Sequence, residues 1–356
     1  MPMNYQSEES LTFLQNICAL AQKVIKNETA RKESNRFFSP VLCFVGGFVE
    51  IHGKTLEKIV LSRESVGNEV ISDENPTEED AKMFQCLDSL ALETIEAMKS
   101  HNVLGSAWIS AERTQKNGQS ASETKSEQPA FSTSGLAPLF SFLQTCIMHC
   151  PAFLLHVLGS ESGGDDDTNS TPSPVVLRKS MALGVSSIID VEADISVQAI
   201  GFLEAIVSLA AKSGAGNDVT TRRVVGEYTL TFQTNMLSVL LQGTCGVLQY
   251  FVVPDASHLL FNALSNFSHS EEELKKIVLR GLSQEHFFLG KRARSVIYEF
   301  CLSLLKNPNT DADAKKSMRE KMVNMMTDVW RFHRFENVDA MERSDAVHAF
   351  CIRYKS

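Results

Sequence analysis

The sequence predicts an all-α protein built from stacked helices, and three observations support this fold class. Apolar residues recur three or four positions apart in one segment after another along the 356 residues. Two of these segments begin with the capping residues that start helices. The two short runs that could form strands, Val224-Val225 and Phe251-Val252-Val253, lie beside helical periodicity and could belong to it.

Residues 1–104 are predicted to form N-terminal helical repeats. The three apolar stripes are Leu11, Leu14, Cys18, Ala21 and Ile25; Phe37, Val41, Phe44, Phe48 and Ile51; and Phe84, Leu87, Ala91, Ile95 and Met98. Thr77 precedes three acidic residues, and a hydroxyl at the N-cap followed by carboxylates favours a helix start. Gly46-Gly47, inside the second stripe, predicts close helix packing at that point.

Two polar segments interrupt the helical pattern. Residues 105–134 contain mainly Ser, Thr, Gln, Glu and Lys, which predicts a flexible linker or loop. Residues 160–174 contain Asp165-Asp166-Asp167 and two prolines, which predict an exposed acidic insertion. The predicted organisation is therefore 1–104, the linker, and 135–356 with its insertion.

Residues 135–356 repeat the helical pattern. Their main stripes are Leu136, Leu139, Phe140, Leu143 and Ile147, ending before Pro151; Phe153, Leu154, Val157 and Leu158; Ile195, Ala199, Phe202, Leu203, Ile206 and Leu209; and Tyr228, Phe232, Met236 and Leu240. The last of these predicts a long helix that either continues or bends near Gly243 and Gly246. Ser270 and Glu273 have the spacing of a capping box, and three further stripes follow them.

About a dozen amphipathic helices of roughly 10 to 20 residues are difficult to arrange around one centre. Antiparallel helix pairs that stack in a row bury each other's remaining faces, which predicts an α-solenoid. No strict repeat is visible. This favours the degenerate HEAT type over tetratricopeptide and ankyrin repeats, which have recognisable signatures.

Composition and charge restrict the function. The chain has 43% hydrophobic and 22% charged residues, as folded proteins do. Its net charge of −9 argues against direct nucleic-acid binding and suits a basic partner better. Eight cysteines without paired spacing predict reduced core residues in the cytoplasm or nucleus. No sufficiently long apolar run or secretory signal is recognisable, so membrane insertion is not predicted.

No catalytic, cofactor-binding or metal-binding residue is assigned from the sequence, and an enzyme is not predicted. Cys146, His149, Cys150 and His156 form the nearest approach to a metal site, but the cysteines interrupt an apolar helix face, so we interpret them as packing residues. The three aspartates lack the ligand spacing of an EF-hand. Gly214-Ala215-Gly216 lacks the preceding strand and the Lys of a phosphate loop.

Two further segments have both a structural and a binding interpretation. Trp330 to Phe335 alternates aromatic and cationic residues, like a nucleic-acid platform, but the acidic residues around it favour a terminal helix that packs its aromatics. The methionine stripe Met318, Met322, Met325 and Met326 is interpreted as core rather than as a binding groove.

Three blocks of residues resemble the C-terminal HEAT repeats of importin-β-type karyopherins, in the branch of transportin-SR and importin-thirteen. The blocks are Leu139-Phe140-Ser141-Phe142-Leu143 leading to Cys150-Pro151-Ala152-Phe153-Leu154; Val197-Gln198-Ala199-Ile200-Gly201-Phe202-Leu203; and Met236-Leu237-Ser238-Val239-Leu240-Leu241-Gln242-Gly243, followed by Val253-Pro254-Asp255. The resemblance covers about half the chain, from Leu136 to Leu305. The insertion at 160–174 departs from the family pattern.

The resemblance implies the C-terminal, cargo-binding scaffold of a nuclear transport receptor, shared between cytoplasm and nucleus. The implied partners are a protein cargo, with a basic or Arg/Ser-rich cargo among the alternatives, and nuclear pore proteins. Ran GTPase would bind through N-terminal repeats that this sequence is expected to lack, as a fragment or truncated product would. No cargo-binding residue is transferred from the family. The alternative is a HEAT-repeat scaffold unrelated to nuclear transport.

Overall fold

The computed structural model describes residues 8–26, 35–64, 77–100, 136–158, 175–190, 192–212, 219–266, 270–282, 291–306, 311–332 and 340–354. Within these residues the backbone forms fourteen α-helices and no strand, which confirms the predicted all-α class. The helices are α1 (Glu8–Lys26), α2 (Asn35–Glu64), α3 (Glu78–Ser100), α4 (Leu136–His149), α5 (Pro151–Leu158), α6 (Val175–Ser187), α7 (Ala193–Lys212), α8 (Val219–Gly226), α9 (Leu230–Gln242), α10 (Val253–Ser265), α11 (Glu271–Gly281), α12 (Lys291–Lys306), α13 (Ala312–Phe332) and α14 (Ala340–Tyr354). The predicted linker at 105–134 and insertion at 160–174 lie outside the described residues.

The chain divides into two compact units. Unit 1 comprises Met1–Leu183 and Gly216–Glu227, and unit 2 comprises Gly184–Ala215 and Tyr228–Ser356. The first boundary falls inside α6, and the last falls between α8 and α9.

In unit 1 the long helix α2 packs against α1, α3, α4 and α5. Gly53 of α2 permits the closest of these approaches, because a Cβ at this position would lie 2.5 Å from the backbone oxygen of His149. Thr77 caps α3 as predicted, since its Oγ1 accepts a hydrogen bond from the Asp80 amide at 3.1 Å.

Unit 2 is organised around α10, which packs against α7, α9, α12 and α13. The predicted capping box is present at the start of α11: the Ser270 hydroxyl accepts from the Glu273 amide, and the Glu273 carboxylate accepts from the Ser270 amide. Close packing of α11 on α9 requires Gly281, because a Cβ there would lie 2.6 Å from Cβ of Leu241.

Among the described helices, α7 is long and apolar enough to cross a membrane by length and composition. Half of its apolar window is buried within the structure, and α7 packs against α10 of the same unit. Its Glu204 accepts a hydrogen bond of 2.9 Å from the side-chain amide of Asn262 on α10. These contacts are typical of a core helix.

Several predictions about the faces and limits of helices were wrong. Ile51 was placed on the core face of α2 but is exposed, whereas Phe48 of the same predicted stripe is buried as expected. The other core residues in this part of α2 are Phe38, Leu42, Val45 and Val49. Both sets have helical spacing, so spacing alone could not distinguish them. The predicted close helix packing at Gly46 and Gly47 is also wrong. A Cβ at Gly46 would make only ordinary van der Waals contacts, and a Cβ at Gly47 would meet no atom within 4 Å.

The predicted long helix that included Tyr228 is interrupted there. Helix α8 ends before Tyr228, and Thr229 starts α9 by accepting a hydrogen bond from the Phe232 amide. At its other end α9 stops at Gln242, which resolves the open alternative in favour of a bend near Gly243 and Gly246. The run Val224-Val225 belongs to α8 and is helical.

Candidate interaction surface

The connection between α9 and α10 has an unusual backbone. Residues Gly243–Val247 form a single π-helical turn, which the Leu248 amide closes by bonding to the Gly243 carbonyl at 3.0 Å. Gly246 has φ 98°, a left-handed conformation that residues with a side chain rarely adopt. A short 3₁₀ turn, Tyr250–Val252, then leads into α10.

This loop exposes three large apolar side chains. Val247 and Tyr250 are each 49% exposed and Phe251 is 60% exposed. The residues between and after them, Leu248 and Val252, are buried and hold the loop to unit 2. The alternation of anchored and exposed residues therefore presents the three side chains on one short segment.

Helix α13 supports the loop through Trp330. The indole Nε1 of Trp330 donates a hydrogen bond of 2.7 Å to the Leu248 carbonyl. The Tyr250 ring lies against the Trp330 ring with centroids 5.1 Å apart. We call Val247, Tyr250, Phe251, Trp330 and Arg331 the aromatic corner.

A charged cluster lies beside these rings. Arg331 Nη2 is 3.5 Å from the Tyr250 hydroxyl, and Arg331 Nη1 is 3.6 Å from Oδ1 of Asp328. The other oxygen of Asp328 accepts from Arg353 at 2.8 Å and from the Tyr354 hydroxyl at 2.9 Å. Burial raises the pKa of Tyr354 to about 12, and its hydrogen bond to Asp328 acts in the same direction.

The aromatic corner has the composition of a protein-binding surface. Tyr, Trp and Arg are enriched among the residues that dominate the energetics of protein interfaces, and the fixed loop limits the entropy lost on binding. A partner that covers Phe251 and Val247 removes apolar surface from water, which stabilises the complex. The arrangement therefore supports noncovalent recognition of another protein.

The four residues of the candidate metal site do not converge on one point. Cys146 is fully buried, and burial raises its pKa well above the ordinary value; burial likewise raises the pKa of Cys150 to about 12. His156 is directed to Asp88 on α3, with Nε2 2.8 Å from Oδ1. Among the residues that the structure describes, no group of three or more His, Cys, Asp or Glu could hold a metal ion.

The remaining sequence candidates have separate positions. Met322, Met325 and Met326 are buried, as the core interpretation predicts, whereas Met318 of the same stripe is only half-buried. The Thr244 hydroxyl lies 3.5 Å from the Met326 sulfur. Phe332 is also buried and its ring contacts Phe350 at 5.6 Å, whereas Trp330 faces the loop. The Asp165 to Asp167 run, the Gly214 to Gly216 segment and residues 333–335 lie outside the described residues.

Sequence reasoning missed the aromatic corner as a site. It placed Phe251 in a short run that could form a strand and beyond a possible helix bend, and it placed Trp330 in an aromatic and cationic segment of a terminal helix. A usable indication was present, because Gly243 and Gly246 mark a break in an apolar helix at the point where the loop begins. The contact between the loop that carries Phe251 and the helix that carries Trp330 was not visible in the sequence.

No protein-family model matches the chain, and searches of the curated proteins and of the solved structures found no match. The resemblance to importin-β-type karyopherins therefore rests only on the three blocks of residues described above.

Proposed function

We propose that this chain is a helical scaffold that binds protein partners, and that it serves as the C-terminal, cargo-binding part of a nuclear transport receptor. The observation that supports the binding role is the aromatic corner, where exposed Tyr250 and Phe251 are fixed against α13 by Trp330. The transport role is supported by the resemblance of the three sequence blocks. Cargo, nuclear pore proteins and, in the complete receptor, Ran are the proposed partners, in cytoplasm and nucleus.

We further propose that the helices of unit 2 are HEAT-like antiparallel pairs of an α-solenoid. Helices α11 and α12 are antiparallel neighbours, since Glu271 at the start of α11 meets Tyr298 at the middle of α12 and Lys306 at its end. Asp328 and Phe332 of α13 likewise meet the last turns of α14. In the proposed pairs α9–α10, α11–α12 and α13–α14, the second helix of each pair packs on the second helix of the next pair. Helix α13 departs from this pattern, because it packs on α10.

A helical scaffold without a transport role is the second candidate. It is supported by the nature of the resemblance, which relies on scaffold residues that many helical repeats share. Such a scaffold would use the same corner for a chromatin, trafficking or phosphatase partner.

Proximity labelling in cells distinguishes these functions. The tagged full chain is compared with Phe251→Ser and with Leu279→Ser, a control that changes a similarly exposed apolar residue on α11. If the chain serves in nuclear transport, cargo and nuclear pore proteins should be among the labelled proteins that are lost with Phe251→Ser and retained with Leu279→Ser. Partners from one unrelated complex would support the second candidate, and identical partner sets for all three chains would contradict a binding role of the corner.

A further inference from the structure

We infer that the aromatic corner selects an acidic protein segment, in which an aromatic or large aliphatic side chain is flanked by carboxylates. This inference rests on the proposed protein-binding function and identifies the chemistry of the partner. It differs from the preference for a basic cargo that the chain's overall charge predicts.

The apolar half of the site requires an apolar side chain from the partner. Phe251 and Val247 are exposed on a loop whose backbone is held at both ends, by the π-helical turn before it and by α10 after it. A polar partner side chain would lose water here without gaining a hydrogen bond, which is unfavourable. An aromatic or aliphatic side chain loses water at no such cost.

Among the residues that the structure describes, the charged half of the site has two arginines that share one aspartate. Arg331 and Arg353 are 56% and 66% exposed, and both contact the single carboxylate of Asp328, which is 17% exposed and also accepts from Tyr354. One carboxylate cannot neutralise two guanidinium groups, so the cluster carries a surplus positive charge. Among the described residues, the exposed Asp255 at the start of α10 forms no ion pair with Arg331 or Arg353, whose partner is Asp328.

The surplus charge determines which partner fits. A guanidinium group binds a carboxylate through paired, charge-assisted hydrogen bonds, and Arg331 lies directly beside the exposed Tyr250. A basic segment would bring like charges together and would be rejected there, although the chain as a whole has a net charge of −9. The corner therefore favours carboxylates next to the apolar side chain.

Selection from a random-peptide library displayed on phage tests this inference with the full chain. The enriched peptides are synthesised and their affinities measured by fluorescence anisotropy. We expect an aromatic residue or leucine flanked by Asp or Glu. Affinity should fall roughly tenfold or more in Phe251→Ser and several-fold in Arg331→Gln. It should fall less in Arg331→Lys, which keeps the positive charge but loses the paired hydrogen bonds, than in Arg331→Gln. It should be unchanged in the controls Leu279→Ser and Lys316→Gln, the second of which removes an exposed cation elsewhere on α13.

The outcomes separate this inference from the proposed function. Enrichment of basic peptides, no enrichment at all, or acidic peptides whose affinity is unaffected by Phe251→Ser and Arg331→Gln would overturn the inference. If the proximity labelling still shows partners lost in Phe251→Ser, the protein-binding function stands while the acidic preference fails. Thermal melting of each variant, which should lie close to that of the natural chain for these exposed positions, excludes unfolding as the cause of a loss.

Discussion

At the scale of single residues, the aromatic corner depends on Leu248. Its side chain is buried, its amide closes the π-helical turn, and its carbonyl accepts the hydrogen bond from Trp330. A backbone carbonyl in such a position needs a partner, since an unsatisfied polar group costs free energy when it is shielded from water. One residue thus joins the loop to α13 and sets where Tyr250 and Phe251 are presented.

Replacing Trp330 by Phe should lower the free energy of unfolding by about 1–3 kcal/mol, because the Leu248 carbonyl loses its donor. Urea denaturation followed by circular dichroism measures this change. The matched control is Tyr298→Phe, which removes an exposed hydrogen bond of 3.3 Å to Glu271 and should cost no more than about 0.5 kcal/mol. Equal losses in the two variants would show that the indole does not anchor the loop.

We predict that His52 makes the stability of unit 1 depend on pH. Its ring stacks on Phe48 with centroids 4.4 Å apart, and burial lowers its pKa from 6.5, while the charge of Asp80 acts in the opposite direction. As the pH falls below 6.5, His52 binds a proton in the unfolded chain before it does so in the folded protein. The folded protein therefore loses stability between pH 6.5 and the lower pKa that His52 has when folded. We expect His52→Gln to melt with less pH dependence than the natural chain between about pH 7.5 and about pH 5.5. An unchanged dependence would contradict this role.

At the scale of elements, what the sequence could predict depends on how each helix is buried. Helix α3 has one apolar face, and its stripe from Phe84 to Met98 was identified correctly. Helix α6 was missed because its residues from Met181 to Val185 are all buried, which leaves no amphipathic pattern. The aromatic corner was missed because Trp330 and Leu248 are 82 positions apart, a contact that local patterns do not encode.

Two glycines of α2 test the packing of that helix. Gly53→Ala should destabilise the protein by about 1–3 kcal/mol, because the new Cβ overlaps the backbone of His149. Gly47→Ala, in the same helix, meets no atom within 4 Å and should stabilise it by about 0.5–1 kcal/mol through helix propensity. Thermal and urea denaturation measure both changes. A Gly53→Ala variant that is as stable as Gly47→Ala would contradict the close approach at Gly53.

At the scale of the whole molecule, the chain is proposed to act as a scaffold whose helices position a binding surface. Residues Gly184–Ala215 belong to unit 2 while Gly216–Glu227 belong to unit 1, so the chain passes between units three times. Both units consist of helices in their described parts. The aromatic corner lies wholly within unit 2 and needs only the contacts of that unit.

The most direct measurement of the central claim is photo-crosslinking from position 251. The full chain carries a photoreactive phenylalanine analogue in place of Phe251, or in place of Leu279 as the control, and is irradiated in cell extract. We expect a discrete protein adduct at position 251 that the unlabelled natural chain competes away, and no such adduct at position 279. No adduct at position 251, or the same adducts at both positions, would contradict the account of this chain as a scaffold that binds protein through its aromatic corner.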